Sequence, residues 1–218
     1  MKISYLFVVI NFLYLNVAVE GQEVGEWKLV KDSDNIKAFV MKSPTSEINK
    51  VKVETIIETT LSELVALMKD TENHRNWVFL NEEASLIEET DDFNWKYYGR
   101  SDAPWPVTDR DFITDITLQQ NPIDYSVIIS SFAIPGFLPE NEDCIRVPYA
   151  TSKWTFNPIG NGSIHITLVL EADIGGKIPK WFTNLLVTKG PLTTMNGLVN
   201  ELKTNKYKDV KLDFIEEL

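Results

Sequence analysis

The 218-residue sequence predicts an α+β fold: a curved antiparallel sheet wrapped around a long C-terminal helix, with an internal apolar cavity between them. Three observations carry that expectation. Strand-like segments follow one another through short turns, the pattern of antiparallel neighbours. One of them, SIHITLVLEAD at Ser163–Asp173, sends Ile164, Ile166, Leu168 and Leu170 to one face. After it the period changes, and Ile178, Trp181, Phe182, Leu185, Leu186, Leu192, Met195, Leu198, Val199 and Leu202 form one helical stripe. That stripe runs for about 25 residues, or ~37 Å. A bent sheet gripping one such helix is not filled evenly along its length, which leaves room for a cavity.

The elements follow in order. Trp27–Lys31 reads as a strand, Asp32-Ser33-Asp34-Asn35 as a turn and Ile36–Met41 as the returning strand. Asn49–Ile57 alternates Val51, Val53 and Thr55 against Lys50, Lys52 and Glu54, so one face is wet. Thr60 and Glu63 form a capping box, and Leu61, Leu64, Val65 and Met68 continue at helical spacing to about Asp70. A short connector, HRNWV, follows. From residue 84 strands recur at Ala84–Glu89, Asn94–Arg100, Arg110–Gln119, Tyr125–Phe132, Ile145–Val147, Thr151–Asn157 and Ser163–Asp173. Glu89–Asp92, Asn121-Pro122 and Pro158–Gly162 supply turns between them. Gly175-Gly176 ends the last strand, Pro179 suits a first helical turn, and Gly190-Pro191 should kink the helix.

The length suits one domain, and 44% hydrophobic residues with six Trp suffice for a substantial core. At the N-terminus, Met1-Lys2 precedes an apolar run, Ile3–Val19, and Val19-Glu20-Gly21 supplies small residues for cleavage. Residues 1–21 therefore read as a secretory signal and 22–218 as the mature domain, exported to a periplasm or outside the cell, with an uncleaved anchor or a buried helix as the alternatives. Removing them deletes one base and one acid, so the net charge stays at −11. Such a surface repels phosphate backbones, and nucleic acid is not an expected partner. A monomer is the expected state. Cys144 is the only cysteine, so no intramolecular disulfide forms, and the thiol reads as a small buried hydrophobe.

Catalytic patterns are sparse. The two histidines, His74 and His165, read as surface residues outside any metal-ligand spacing, and no nucleophile elbow, P-loop or dinucleotide fingerprint occurs. No metal or cofactor is therefore expected. Gly175-Gly176 is a strand-to-helix turn. The stretch APWPVTDRD at 103–111 holds more chemistry. Pro104 and Pro106 should hold Trp105 on a stiff, extended connector. Asp109 and Asp111 could act as an acid–base pair, but no nucleophile accompanies them. A structural role is the alternative, with Arg110 tying the connector to a neighbouring loop.

These residues carry a resemblance. PWPVTDRDF at Pro104–Phe112 is similar to the P-W-P-x-x-x-R-D motif of START (steroidogenic acute regulatory-related lipid-transfer) domains. Three more blocks agree in order: NHRNWV at Asn73–Val78; Pro139-Glu140 with Ile145-Arg146-Val147, Trp154 and Pro158; and ADIGGKIPKWFTN at Ala172–Asn184. The resemblance spans Trp27 to Lys203. It implies a helix-grip fold enclosing one hydrophobic lipid, with the Ser101–Asp109 loop and the C-terminal helix as the lid.

It also implies a departure. Sterol-handling members of that family bury an acid–arginine pair in the cavity, and Tyr97 and Ile116 stand at those positions. The cavity should then be less polar, with the Tyr97 hydroxyl as a single anchor or as plain core. Arg146 is a second candidate for a headgroup contact, or else pairs with a carboxylate. Leu168, Leu192, Met195 and Leu198 are candidate lining residues, and Pro104, Trp105, Pro106 and Arg110 the candidate gate. The expected activity is binding and carriage of a lipid or other hydrophobic small molecule, with transient membrane contact and no catalysis. The alternatives are a cyclase or hydrolase working through Tyr97, and an interaction protein with a filled core.

Overall fold

Residues 25–42 and 49–218 are described by the structure, a computed structural model. The N-terminal run assigned to a secretory signal lies outside them. Strands β1 (Lys28–Ser33), β2 (Ile36–Lys42) and β3 (Asn49–Glu58) come first. The β1–β2 turn places Asp34 and Asn35 at positive φ, which short polar side chains tolerate. Helix α1 (Leu61–Lys69), a 3₁₀ turn (Thr71–Asn73) and the short α2 (His74–Trp77) follow. Next come β4 (Asn81–Asp91), β5 (Asn94–Ser101), β6 (Arg110–Gln120), β7 (Val127–Ala133), β8 (Ile145–Arg146), β9 (Tyr149–Gly160) and β10 (Ser163–Asp173). The stripe forms two helices, α3 (Lys180–Thr188) and α4 (Gly190–Leu202), divided at Lys189 just ahead of Gly190-Pro191.

All ten strands join one sheet in the order β1-β2-β3-β10-β9-β7-β6-β5-β4, with β8 added beside β6. Every pairing is antiparallel except β6–β8, which is parallel at Arg110↔Ile145 and Asp111↔Arg146. Residue period turns this register into rows of side chains on the inner face. Val53, Leu168, Trp154, Ile129 and Leu118 stand side by side across five strands. Each is almost fully buried. Against this row pack α1 through Leu61, Leu64, Val65 and Leu67, and α4 through Met195 and Leu198.

Two contacts fix the helices at this packed end. Thr60 Oγ1 accepts from Glu63 N at 3.2 Å and Glu63 Oε2 accepts from Thr60 N at 3.3 Å, the reciprocal capping expected. The C-terminal tail adds a second cap: Glu217 accepts from Leu61 N at 2.9 Å and Ser62 N at 2.8 Å, where a carboxylate also meets the favourable end of the helix dipole. Helix α4 approaches α2 so closely that a Cβ on Gly197 would lie 2.3 Å from the Trp77 carbonyl oxygen. Only glycine permits that crossing.

Candidate ligand-binding site

The inner face changes character one row above the packed end. Leu170, Ser152, Ser131 and Ile116 align there, and Ser131 and Ser152 share a hydrogen bond of 2.8 Å. Ala172 stands opposite Ala150, and Ala133 opposite Thr114, another row on. Large residues have given way to Ser and Ala. Burial falls at the same place: Leu170, Ser152, Ser131, Ala172, Ala150 and Ala133 are only half-buried. On the helix side Leu185, Leu186, Val187 and Leu192 are likewise half-buried. The inner face is therefore incompletely covered at this level, and the half-buried residues on it and on α3 and α4 are mostly apolar or small. No motif marks these small residues, and their alternation with outward-facing side chains is the one signal for them in the sequence.

The candidate lining residues differ in burial. Met195 and Leu198 have 0% exposure and belong to the packed end. Leu168, in the row beneath the small residues, is also almost fully buried. Ile116 lies in the transition row, and Leu192 is half-buried at its edge. Tyr97 faces inward beside Thr114, with its ring against His74 and Phe112. Its hydroxyl is already engaged: it donates to the Asn81 side-chain oxygen, while the Asn81 amide donates to the Glu83 and Arg100 carbonyls at 2.7 and 3.2 Å. Burial raises the Tyr97 pKa, so the phenol stays neutral.

Arg146 is a structural ion pair, not a headgroup contact. Nε and Nη2 each reach Asp111 at 2.9 Å, and the remaining hydrogen bonds go to the carbonyls of Pro135, Leu138 and Pro139. A guanidinium offers five N–H donors, and these contacts use them all. Asp111, at 0% exposure, is thereby consumed. Asp109 is also occupied, accepting from Ala103 N at 2.9 Å and from Arg100 Nη1 at 3.1 Å. Neither carboxylate of the suggested acid–base pair is free. Glu82, Asp102 and Asp109 do bring oxygens within 4.8 Å of one another, a spacing a cation could bridge. Arg100 already spans Glu82 at 2.9 Å and Asp109 at 3.1 Å, which neutralises much of that charge.

The 101–109 loop packs against α3. Ala103 and Val107 insert beside Phe182 of α3, with Leu80, Ile174, Ile178, Leu185 and Leu186 around them. This is a second apolar cluster, separate from the main core, and it holds loop and helix together. Asp102 N donates to the Leu80 carbonyl at 2.9 Å. Arg110 donates to the Thr108 carbonyl and, at 3.2 Å, to the Gly175 carbonyl in the turn ahead of α3. It thus ties the loop to its neighbour, as anticipated. The tip is not extended as expected, since Val107 N donates to the Pro104 carbonyl at 3.1 Å and the chain reverses there. The Trp105–Pro106 peptide is cis, and Trp105 stands 91% exposed between Pro104 and Pro106.

The histidines divide. His165 sits half-buried on the outer face of β10. His74 is not a surface residue: α2 buries it, Nε2 donates to the Met68 carbonyl at 3.0 Å, and its ring packs on Trp77 and Tyr97. Desolvation lowers its pKa from 6.5 to about 4. The proton is therefore taken up more readily by the unfolded chain, whose histidine titrates near 6.5. The neutral ring's contribution to stability is complete above pH 6.5 and is lost as pH falls through about 4. Urea unfolding should show a loss of about 3 kcal/mol over that window, and His74→Gln should flatten it. Equal slopes in both proteins would contradict this. Cys144 is half-buried rather than core, because it ends a surface turn closed on Asn141.

A START domain family model matches residues 14–208, beginning inside the N-terminal apolar run, and the chain belongs to that family. A protein of Pseudomonas aeruginosa, described only as uncharacterised, is 33% identical over 181 residues, covering 83% of this chain and 89% of its own. Among solved structures, the STAR-related lipid transfer protein of Xanthomonas axonopodis is 28% identical with a TM-score of 0.75, over 81% of this chain and 98% of that one. Human StAR-related lipid transfer protein 5 shares the fold at a TM-score of 0.73 and 14% identity, over 82% and 86% of the two chains. The Zhui aromatase/cyclase of a Streptomyces species shares it more distantly, at a TM-score of 0.54 and 9% identity, over 72% and 95%. The arched sheet closed by C-terminal helices is the helix-grip fold of this family.

Proposed function

We propose that the protein is a non-enzymatic carrier of one lipid or similar hydrophobic small molecule, exchanged by movement of the 101–109 loop against α3. The observation that carries this is the change from large to small side chains on the inner face beneath that loop. An apolar guest moved there from water gains about 25 cal/mol per Å² of surface buried. The separate Ala103–Val107–Phe182 cluster supplies the hinge surface, since it can part without opening the main core. The bacterial and human relatives named as lipid transfer proteins support the reading, and an enzyme on this framework is the alternative.

The same end is suited to a membrane. Trp105 is 91% exposed at the loop tip, and Trp181 is 47% exposed beside Phe182 on α3. Between Ile174 and Asn200 the chain carries three lysines, Lys177, Lys180 and Lys189, and no acid, against a net charge of −11 overall. Aromatic rings and lysines on one segment suit an interface with some anionic lipid. No helix among the described residues is long and apolar enough to cross a bilayer. The apolar run Ile3–Val19 supports export before this activity. Trp105→Ala should slow lipid exchange between vesicles about tenfold, the scale of one interfacial Trp, while equilibrium affinity for the ligand is retained. Lost affinity with unchanged exchange would contradict the gate role.

A further inference from the structure

Among the described residues, three buried side-chain atoms lack a hydrogen-bond partner: Trp77 Nε1, Trp95 Nε1 and Arg110 Nε. All are donors, and Arg110 alone is charged. Arg110 is 3% exposed. Two of its five N–H groups are used, one on the Thr108 carbonyl and one on the Gly175 carbonyl, and no carboxylate among the described residues pairs with it. Asp109, next to it, gives its oxygens to Ala103 N and Arg100 instead. Arg146 shows how this chain satisfies a buried guanidinium whose role is structural, with a bidentate carboxylate and every donor engaged. The Asp109 charge lies nearby but does not bond to it, and a buried cation with no anion in hydrogen-bond contact is costly and needs an explanation.

Its position supplies one. The strand period puts Arg110 on the inner face of β6 with Phe112, Thr114, Ile116 and Leu118, at the end covered by the loop. On the facing turn, a Cβ at Gly176 would lie 3.5 Å from Arg110 Nη2 and 2.9 Å from Ile145 Cδ1. Glycine there, at φ +70°, keeps side-chain atoms away from the guanidinium. We infer that Arg110 receives an anionic group, a carboxylate or a phosphate, on the bound amphiphile, between the 101–109 loop and the Gly175-Gly176 turn. The inference rests on the carrier reading and narrows its ligand to amphiphiles with an acidic head. The apolar tail lies toward the small-residue rows, and the head remains at the gate.

The test is competitive displacement of the neutral fluorophore N-phenyl-1-naphthylamine from the purified protein at pH 8. The competitors are oleate, 1-oleoyl-lysophosphatidate and methyl oleate. At least one anion should displace the fluorophore at a concentration lower than methyl oleate by about tenfold or more, the scale of a hydrogen bond to a charged group. Which anion does so separates carboxylate from phosphate. In Arg110→Gln that ratio should fall toward one, and in Arg110→Lys it should partly return, with circular dichroism establishing the fold of each variant. A ratio near one in the native protein, or a ratio unchanged in Arg110→Gln, would overturn the inference and leave the carrier reading standing. A protein that takes up neither the fluorophore nor any competitor would overturn both.

Discussion

Arg146→Met should destabilise the protein by about 3–5 kcal/mol, the cost of removing one partner from a buried ion pair. Asp111 has no accessible surface and accepts two bonds of 2.9 Å from Arg146, so the substitution leaves a carboxylate with neither water nor a cation. The carbonyls of Pro135, Leu138 and Pro139 lose their donor too, which loosens the loop between β7 and β8. The double variant Asp111→Leu/Arg146→Met should recover much of the loss, because two apolar side chains carry no desolvation penalty. Urea unfolding of the four proteins in the cycle measures both effects. A loss below about 1 kcal/mol in the single variant, the range of exposed pairs, would show that the pair is hydrated.

The second large effect concerns the space itself. Ser152→Phe should abolish uptake of apolar ligands, at least a hundredfold loss, the consequence of filling a site that holds one molecule. Ser152 lies in the row with Leu170, Ser131 and Ile116, at the level where the inner face is only half-buried. An aromatic ring there occupies the guest's volume, whereas in a packed core it would overfill and cost about 1–3 kcal/mol. The two cases are therefore separable. Lost uptake with stability held or raised fits an open chamber, and lost stability with unchanged uptake fits a packed interior. The Ser152 hydroxyl bond to Ser131 is lost in either case, a minor term of about 1 kcal/mol.

Regular alternation and local capping made most of the framework legible in the sequence. Ser163–Asp173 was read at its observed bounds, and the Thr60–Glu63 capping box and the break at Gly190-Pro191 stand where local chemistry placed them. What local patterns lack is partner information. Edge strand β4 is largely exposed and bulged in three places, so its alternation was too weak to give its length. Strand β9 runs through Pro158 to Gly160, although Pro158 read as a turn. Pairing with β7 stops at Phe156, so the missing N–H of Pro158 breaks no bond on that side.

The site was legible in outline only. The four motif blocks mark the 101–109 loop and the lead-in to α3, but three details depend on contacts distant in sequence. Arg146 finds Asp111 35 residues away, and Glu217 finds Leu61 156 residues away. His74 lies among Glu72, Asn73, Arg75 and Asn76 in a short polar connector, yet α2 turns it toward Tyr97. The candidate lining residues are large ones on β5, β6, β10 and the last helix, whereas the inner face loses bulk at Ser and Ala on β7, β9 and β10. A helical stripe shows which side is apolar, and the facing strand decides whether that side is filled.

Native mass spectrometry of the protein purified from its own host, followed by organic extraction, tests the existence of an occupied apolar chamber most directly. The expected result is a single apolar or amphiphilic adduct per chain, released by extraction and absent from Ser152→Phe. Unadorned protein mass in every preparation, together with failure to take up added lipid, would contradict it.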